Sequence, residues 1–101
     1  MFIVGVDIVK RLHEAIIINK DGDIKRKSFS FKNSMEGFDK FLGELSKISD
    51  NTNDFIIAME STSHYWIAFY SALIKRGFDT KAINPIQSDA LRNLYIRQVK
   101  K

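Results

Sequence analysis

Two carboxylates stand where apolar segments end. Asp7 lies in the run Phe2–Ile8 (FIVGVDI), and Glu60 follows Phe55–Met59 (FIIAM). An ionised carboxylate inside an apolar strand is costly unless something pairs with it. Two carboxylates brought close repel, and one takes up a proton unless a cation joins them. A divalent metal is the usual remedy. Mg²⁺ takes one or two carboxylates and completes its shell with waters and substrate phosphate oxygens. Two such ions about 4 Å apart can activate a water and stabilise the leaving oxygen of a phosphodiester. Asp7 and Glu60 are therefore candidate catalytic and metal-ligating residues. Each also has a plainer reading. Asp7 can cap a turn into Val9 and Lys10, and Glu60 is an acid of the kind favoured at a helix N-terminus.

Other residues could serve the same cleft. Lys10 and Arg11 follow Asp7 closely and could hold a nucleic-acid backbone; otherwise they are solvated charges. Such contacts give affinity and position but carry no sequence information. His64 lies four residues after Glu60, and His13 is isolated; a packing or surface role is the default for both. Trp66, Phe69, Tyr70 and Leu73 recur at helical spacing and read as core rather than as a base-stacking platform.

The acids meet only if particular elements position them. Phe2–Ile8 is rich in β-branched and aromatic residues and reads as a first strand. Glu14–Asn19 is a second. Asp21-Gly22 is a hairpin signal of the kind in which both central residues take positive φ. Ile24–Phe31 is a third strand, with Lys25, Lys27, Phe29 and Phe31 expected on one face. Asn33 and Glu36 fit a helix start. Met35, Phe38, Phe41, Leu42, Leu45 and Ile48 then give a helix over about 34–48. Phe55–Met59 is a fourth strand. Ser61-Thr62-Ser63 offers caps for a helix over about 64–76, closed by Gly77. Phe78–Ile83 is a fifth strand, and Asn84-Pro85 opens a third helix. The order β-β-β-α-β-α-β-α predicts an antiparallel meander joined to a parallel βαβ unit, a mixed five-stranded α/β sheet with helices on both faces. Strands one and four should lie side by side. That places Asp7 and Glu60 together at the carboxyl ends of strands, where open α/β sheets bind ligands.

Composition sets the outer bounds. At 101 residues the chain makes one domain, 1–101. It has no cysteine, which excludes a disulfide framework and a thiolate zinc site. No apolar run reaches the ~18 residues of a membrane span, and the start lacks a basic, cleavable leader, so a cytoplasmic location is expected. A net charge of +4 permits an anionic partner. The last stretch is the most suggestive: Arg92, Arg97, Lys100 and Lys101 occur without an acid between them.

The quoted residues carry a resemblance. "VGVDIVKRLHEAIIIN" resembles the first-strand motif of RuvC-like transposases, G-[IV]-D-[IV]-x-K followed by a strand. "AMESTSHYWIAFYSALIKRGFDTKAINP" resembles their second block: an apolar strand, E-x-T-G-x-Y, a helix, G-[FY], a strand and N-P. Together they resemble the N-terminal domain of DEDD-type insertion-sequence transposases, the IS-one-ten type, related to the Piv DNA invertases. Nearly the whole chain is covered. The resemblance implies an RNase H-like (RuvC-like) fold and four acids that bind Mg²⁺ or Mn²⁺. Asp7 would be the first and Glu60 the second. The last two would come from a K-T-D-x-x-D-A stretch soon after the N-P helix, which this sequence does not contain. Asp89 lies too early to replace it. Ser63 stands where the family usually has glycine.

The same resemblance implies DNA as partner, a guide RNA in some members, homo-oligomers, and a further domain with a nucleophilic serine. On this reading the chain is a piece truncated before its last acidic motif and inactive alone. Two other classes compete. An actin-like or sugar-kinase ATPase lobe shares the element order, but it needs a glycine just after its first Asp, and Asp7 is followed by Ile8-Val9-Lys10. A non-catalytic nucleic-acid-binding or assembly module would bind equally well in chelator.

Overall fold

The computed structural model of the chain describes residues 1–8, 11–60 and 65–83. Strands β1 (Phe2–Asp7), β2 (Leu12–Asn19) and β3 (Ile24–Lys32) come first. Helix α1 (Met35–Ser46) and a 3-10 turn at Thr52–Asp54 lead to β4 (Phe55–Glu60). Helix α2 (Trp66–Lys75) leads to β5 (Asp79–Ile83). The sheet order is β3-β2-β1-β4-β5. The meander β1-β2-β3 is antiparallel, and β1, β4 and β5 run parallel. This is the arrangement expected from the sequence, with strands one and four adjacent.

Both crossovers, β3 to β4 and β4 to β5, step the same way along the sheet. The right-handed rule for such connections then puts both helices on one face. Ring contacts agree. Phe41 of α1 and Phe69 of α2 touch at 5.1 Å between centroids, and both reach Phe31 of β3, at 4.9 and 5.4 Å. Strand alternation supplies the other half of the core: Val4, Val6, Ala15, Ile17, Ile57 and Met59 point at the helices and are buried. The third helix expected from Pro85 lies outside the described residues. Among those residues no helix is long and apolar enough to cross a membrane.

The structure revises several local expectations. Asp7 is not inside a buried strand. It ends β1 on the face away from the two described helices and is exposed. The hairpin is not the two-residue type with two positive φ angles. Only Gly22 has positive φ, 88°. The Gly22 N–H donates to the Asn19 carbonyl at 3.0 Å, and the Asn19 N–H donates to the Asp23 carbonyl at 2.9 Å. This is the three-residue loop with its glycine in the left-handed position. The Asn19 side chain accepts from the N–H groups of Asp21 and Asp23 and fixes it.

In β3, Phe29 and Phe31 face the core, but Lys25 and Lys27 are exposed. Two register shifts against β2, between Ala15 and Ile17 and between Ile17 and Ile18, break the alternation. They turn Arg26 toward α1, where it donates to Glu44 at 2.9 Å.

Helix α1 is capped by Ser34 rather than Asn33. Its hydroxyl accepts from the Gly37 N–H at 3.1 Å. Met35 is 73% exposed and does not join the apolar stripe. Helix α2 starts at Trp66, with Tyr65 in the N-cap position and no capping hydrogen bond from its side chain. The caps expected at Ser61–Ser63 lie outside the described residues. Gly77 closes the helix as expected, with φ 90° and the Phe78 N–H returning to the Leu73 carbonyl at 3.1 Å.

Candidate functional site

The parallel ladder between β1 and β4 runs from Phe2–Phe55 to Val6–Met59. Asp7 and Glu60 are each the next residue, so the ladder delivers both to one level on neighbouring strands, about 5 Å apart in backbone spacing. Val6 and Met59 point into the core at 5% and 0% exposure. Alternation therefore sends Asp7 and Glu60 to the opposite face, where Asp7 is exposed and Glu60 half-buried. Gly5 and Ala58 are paired two residues below them on that face, so those two positions put no large side chain under the carboxylates.

The sequence reading missed Glu14. It pairs with Asp7 across the antiparallel β1–β2 ladder and so shares its face. The result is a row Glu14–Asp7–Glu60 across three strands. The signal was the alternation itself: His13, Ala15 and Ile17 are the buried set, which leaves Glu14 outward. The row is not a closed three-carboxylate cage. Among the described residues no group of three or more His, Cys, Asp or Glu side chains is gathered closely enough to hold a metal ion.

Arg11 stands at the same end of the sheet and is exposed. Its carbonyl accepts from the Asn33 N–H at 2.9 Å, which ties the β1–β2 connection to the β3–α1 junction. Lys32 of β3 pairs with Leu12 beside it. That junction is tightly fixed. The Ser34 N–H donates to the Lys32 carbonyl at 2.9 Å, and a Cβ on Gly37 would overlap the same carbonyl oxygen.

His13 belongs to the other face. It is buried, edge-on to Phe31 at 5.3 Å and tilted against Phe69 at 5.9 Å, a packing position. Trp66 and Tyr70 are half-buried, while Phe69 and Leu73 are core. Lys10, His64, Asp89, Arg92, Arg97, Lys100 and Lys101 lie outside the described residues.

Away from the site, Glu44 of α1 is a buried carboxylate. The hydrogen bond from Arg26 holds it below the usual carboxylate range; burial pushes the other way, and Lys47 at 3.1 Å assists Arg26. A groove lined by Leu42, Ser49, Phe55, Arg76 and Phe78 lies at the amino end of β4, the pole opposite Glu60.

The chain matches the family described as transposase, DEDD type, IS110, over residues 4–101. No curated protein matches it. Among solved structures it is similar to an Aquifex aeolicus Ppx/GppA phosphatase in its type II variant, at 13% identity and TM-score 0.47, over 84% of this chain and 36% of that one. It is also similar to an Aquifex aeolicus PPX-GPPA enzyme, at 14% identity and TM-score 0.47, over 86% and 37%. The chain thus spans little more than a third of those proteins. The mixed five-stranded sheet accords with the RNase H-like fold that the sequence resemblance implied. Matched from its first strand to its last residue, the chain belongs to the DEDD transposase family of the IS110 type.

Proposed function

We propose that this chain is the metal-dependent nuclease and recombinase domain of a DNA transposase, with Asp7 and Glu60 as two of its metal ligands. The observation that carries this reading is the β1–β4 register, which brings two acids 53 positions apart to one level on one face. The donor set fits the ion. Carboxylate oxygens on a water-accessible face suit Mg²⁺ or Mn²⁺, which keep several waters and take substrate phosphate oxygens. When bound, such ions polarise a phosphodiester and supply an activated water. The chain's own part is to hold the ion with Asp7 and Glu60 and to hold the DNA backbone with Arg11. Lys10, Arg92, Arg97, Lys100 and Lys101 extend the basic set by sequence. Two carboxylates bind a hard ion weakly. The chain by itself is accordingly inactive and needs the two further acids of the family motif. DNA is the partner, and a guide RNA and a homo-oligomer belong to the same reading.

The test suits a weak site. Mn²⁺ is titrated into isotope-labelled protein and amide signals are followed. Signals around Asp7 and Glu60 should broaden first, and Asp7→Asn or Glu60→Gln should abolish the broadening. Neither variant should change the melting temperature by more than a degree or two, because Asp7 is exposed and Glu60 is not fully buried. Broadening that survives both substitutions, or that occurs only elsewhere, sinks the metal assignment. Unchanged DNA binding in chelator and in both variants would favour the non-catalytic module instead.

A further inference from the structure

The β2–β3 hairpin holds the one Asp-Gly step of the sequence, Asp21-Gly22, and there is no Asn-Gly. Such a step is open to attack from within. The Gly22 nitrogen can close on the Asp21 side-chain carboxyl, and glycine has no Cβ to hinder the ring. A bond forms between the Gly22 nitrogen and Asp21 Cγ, and the carboxyl hydroxyl leaves with the amide proton as water. The five-membered imide then takes up water. Opening at Cγ restores aspartate. Opening at the main-chain carbonyl breaks the original peptide bond and leaves an isoaspartyl linkage, in which the chain runs through Cβ and Cγ.

The folded hairpin opposes this at the atoms the reaction needs. The Gly22 N–H is donated to the Asn19 carbonyl at 3.0 Å and Gly22 is buried, so the attacking nitrogen keeps its proton. Asn19 Oδ1 accepts from the Asp21 N–H at 3.0 Å and from the Asp23 N–H at 2.9 Å. Asn19 Nδ2 donates to the Asp23 carboxylate at 3.2 Å. One side chain thus pins the backbone on both sides of the step, as asparagine does in tight turns. Ring closure has to swing the Asp21–Gly22 peptide toward the Asp21 side chain, which breaks the Gly22 hydrogen bond. We propose that Asp21-Gly22 is a latent covalent modification site, converted to an isoaspartyl linkage only in molecules whose hairpin has opened, and that the Asn19 side chain sets how rarely it opens. The linkage adds one carbon to the backbone between Asn19 and Asp23, whose N–H to carbonyl bond at 2.9 Å closes the loop. A converted chain cannot reclose the hairpin as it was, so conversion is a one-way record of local opening.

The experiment incubates the 101-residue protein at neutral pH, folded or in concentrated urea, and follows tryptic peptide 21–25, whose isoaspartyl form separates chromatographically. The folded protein should convert at least about a hundredfold more slowly than the unfolded one, because the rate follows the open population. Asn19→Ala, shown to be folded by circular dichroism, should convert about tenfold faster than the parent, the scale of two lost hydrogen bonds. Amide hydrogen exchange at Gly22 reads the same opening without any conversion and should accelerate by the same factor. If Asn19→Ala does not fold, the parent alone decides: folded and unfolded conversion rates within a factor of about three, or an unprotected Gly22 amide, overturn the proposal. A folded Asn19→Ala protein that converts no faster than the parent overturns the role given to Asn19.

Discussion

At the scale of single residues, Asp7, proposed above as a metal ligand, and Glu44, which is ion-paired, occupy opposite surroundings. Asp7 is at the surface, whereas Glu44 is buried and held by Arg26 and Lys47. Because Arg26 lowers the folded-state pKa of Glu44, the native state releases that proton more readily than the unfolded chain. Its contribution is complete above the ordinary carboxylate pKa and is lost as pH falls through the lowered folded value. Denaturant titrations from pH 7 down to pH 3 should show this loss, and Glu44→Gln should flatten it. The same substitution should cost about 2 kcal/mol at pH 7, the scale of a charge-assisted hydrogen bond. Asp7 and Glu60 were legible in the sequence because each closes an apolar run. Glu44 was not. Its helical position reads as surface, and only the register shifts in β3 bring Arg26 to it.

At the scale of elements, two glycines of α1 make a matched comparison. A Cβ on Gly37 would meet the Lys32 backbone, which cannot give way without moving the end of β3. Gly37→Ala should destabilise by about 3 kcal/mol, as overpacking of a fixed junction does. Gly43 has nothing within 4 Å of an added Cβ. Gly43→Ala should stabilise by about 0.5–1 kcal/mol through helix propensity and a less flexible unfolded chain. Urea midpoints of the two variants should therefore move in opposite directions. The sequence predicted all five strands and both described helices, because period and punctuation are local signals. It misplaced the α1 cap, the hairpin type and the inward face of β3. Those depend on contacts between elements: the Lys32 carbonyl against α1, the Asn19 side chain across the loop, and Arg26 against Glu44.

At the scale of the whole molecule, both described helices and the aromatic cluster share one face of the sheet. Phe31, Phe41 and Phe69 are in mutual contact at its centre. Phe41 is fully buried, so Phe41→Ala should cost about 3–5 kcal/mol, read from its denaturation midpoint. The strand order was legible because a meander followed by βαβ leaves few arrangements.

The two register shifts in β3 have a consequence for how copies of this domain behave when crowded. This outermost strand carries two residues more than its partner spans, and Lys25 and Lys27 project from the irregular part. A kinked, cationic border offers no straight row of amides for another chain to extend. Growth of one sheet onto the next, the first step toward fibrils, is therefore blocked on that side by the same irregularity that delivers Arg26 to Glu44.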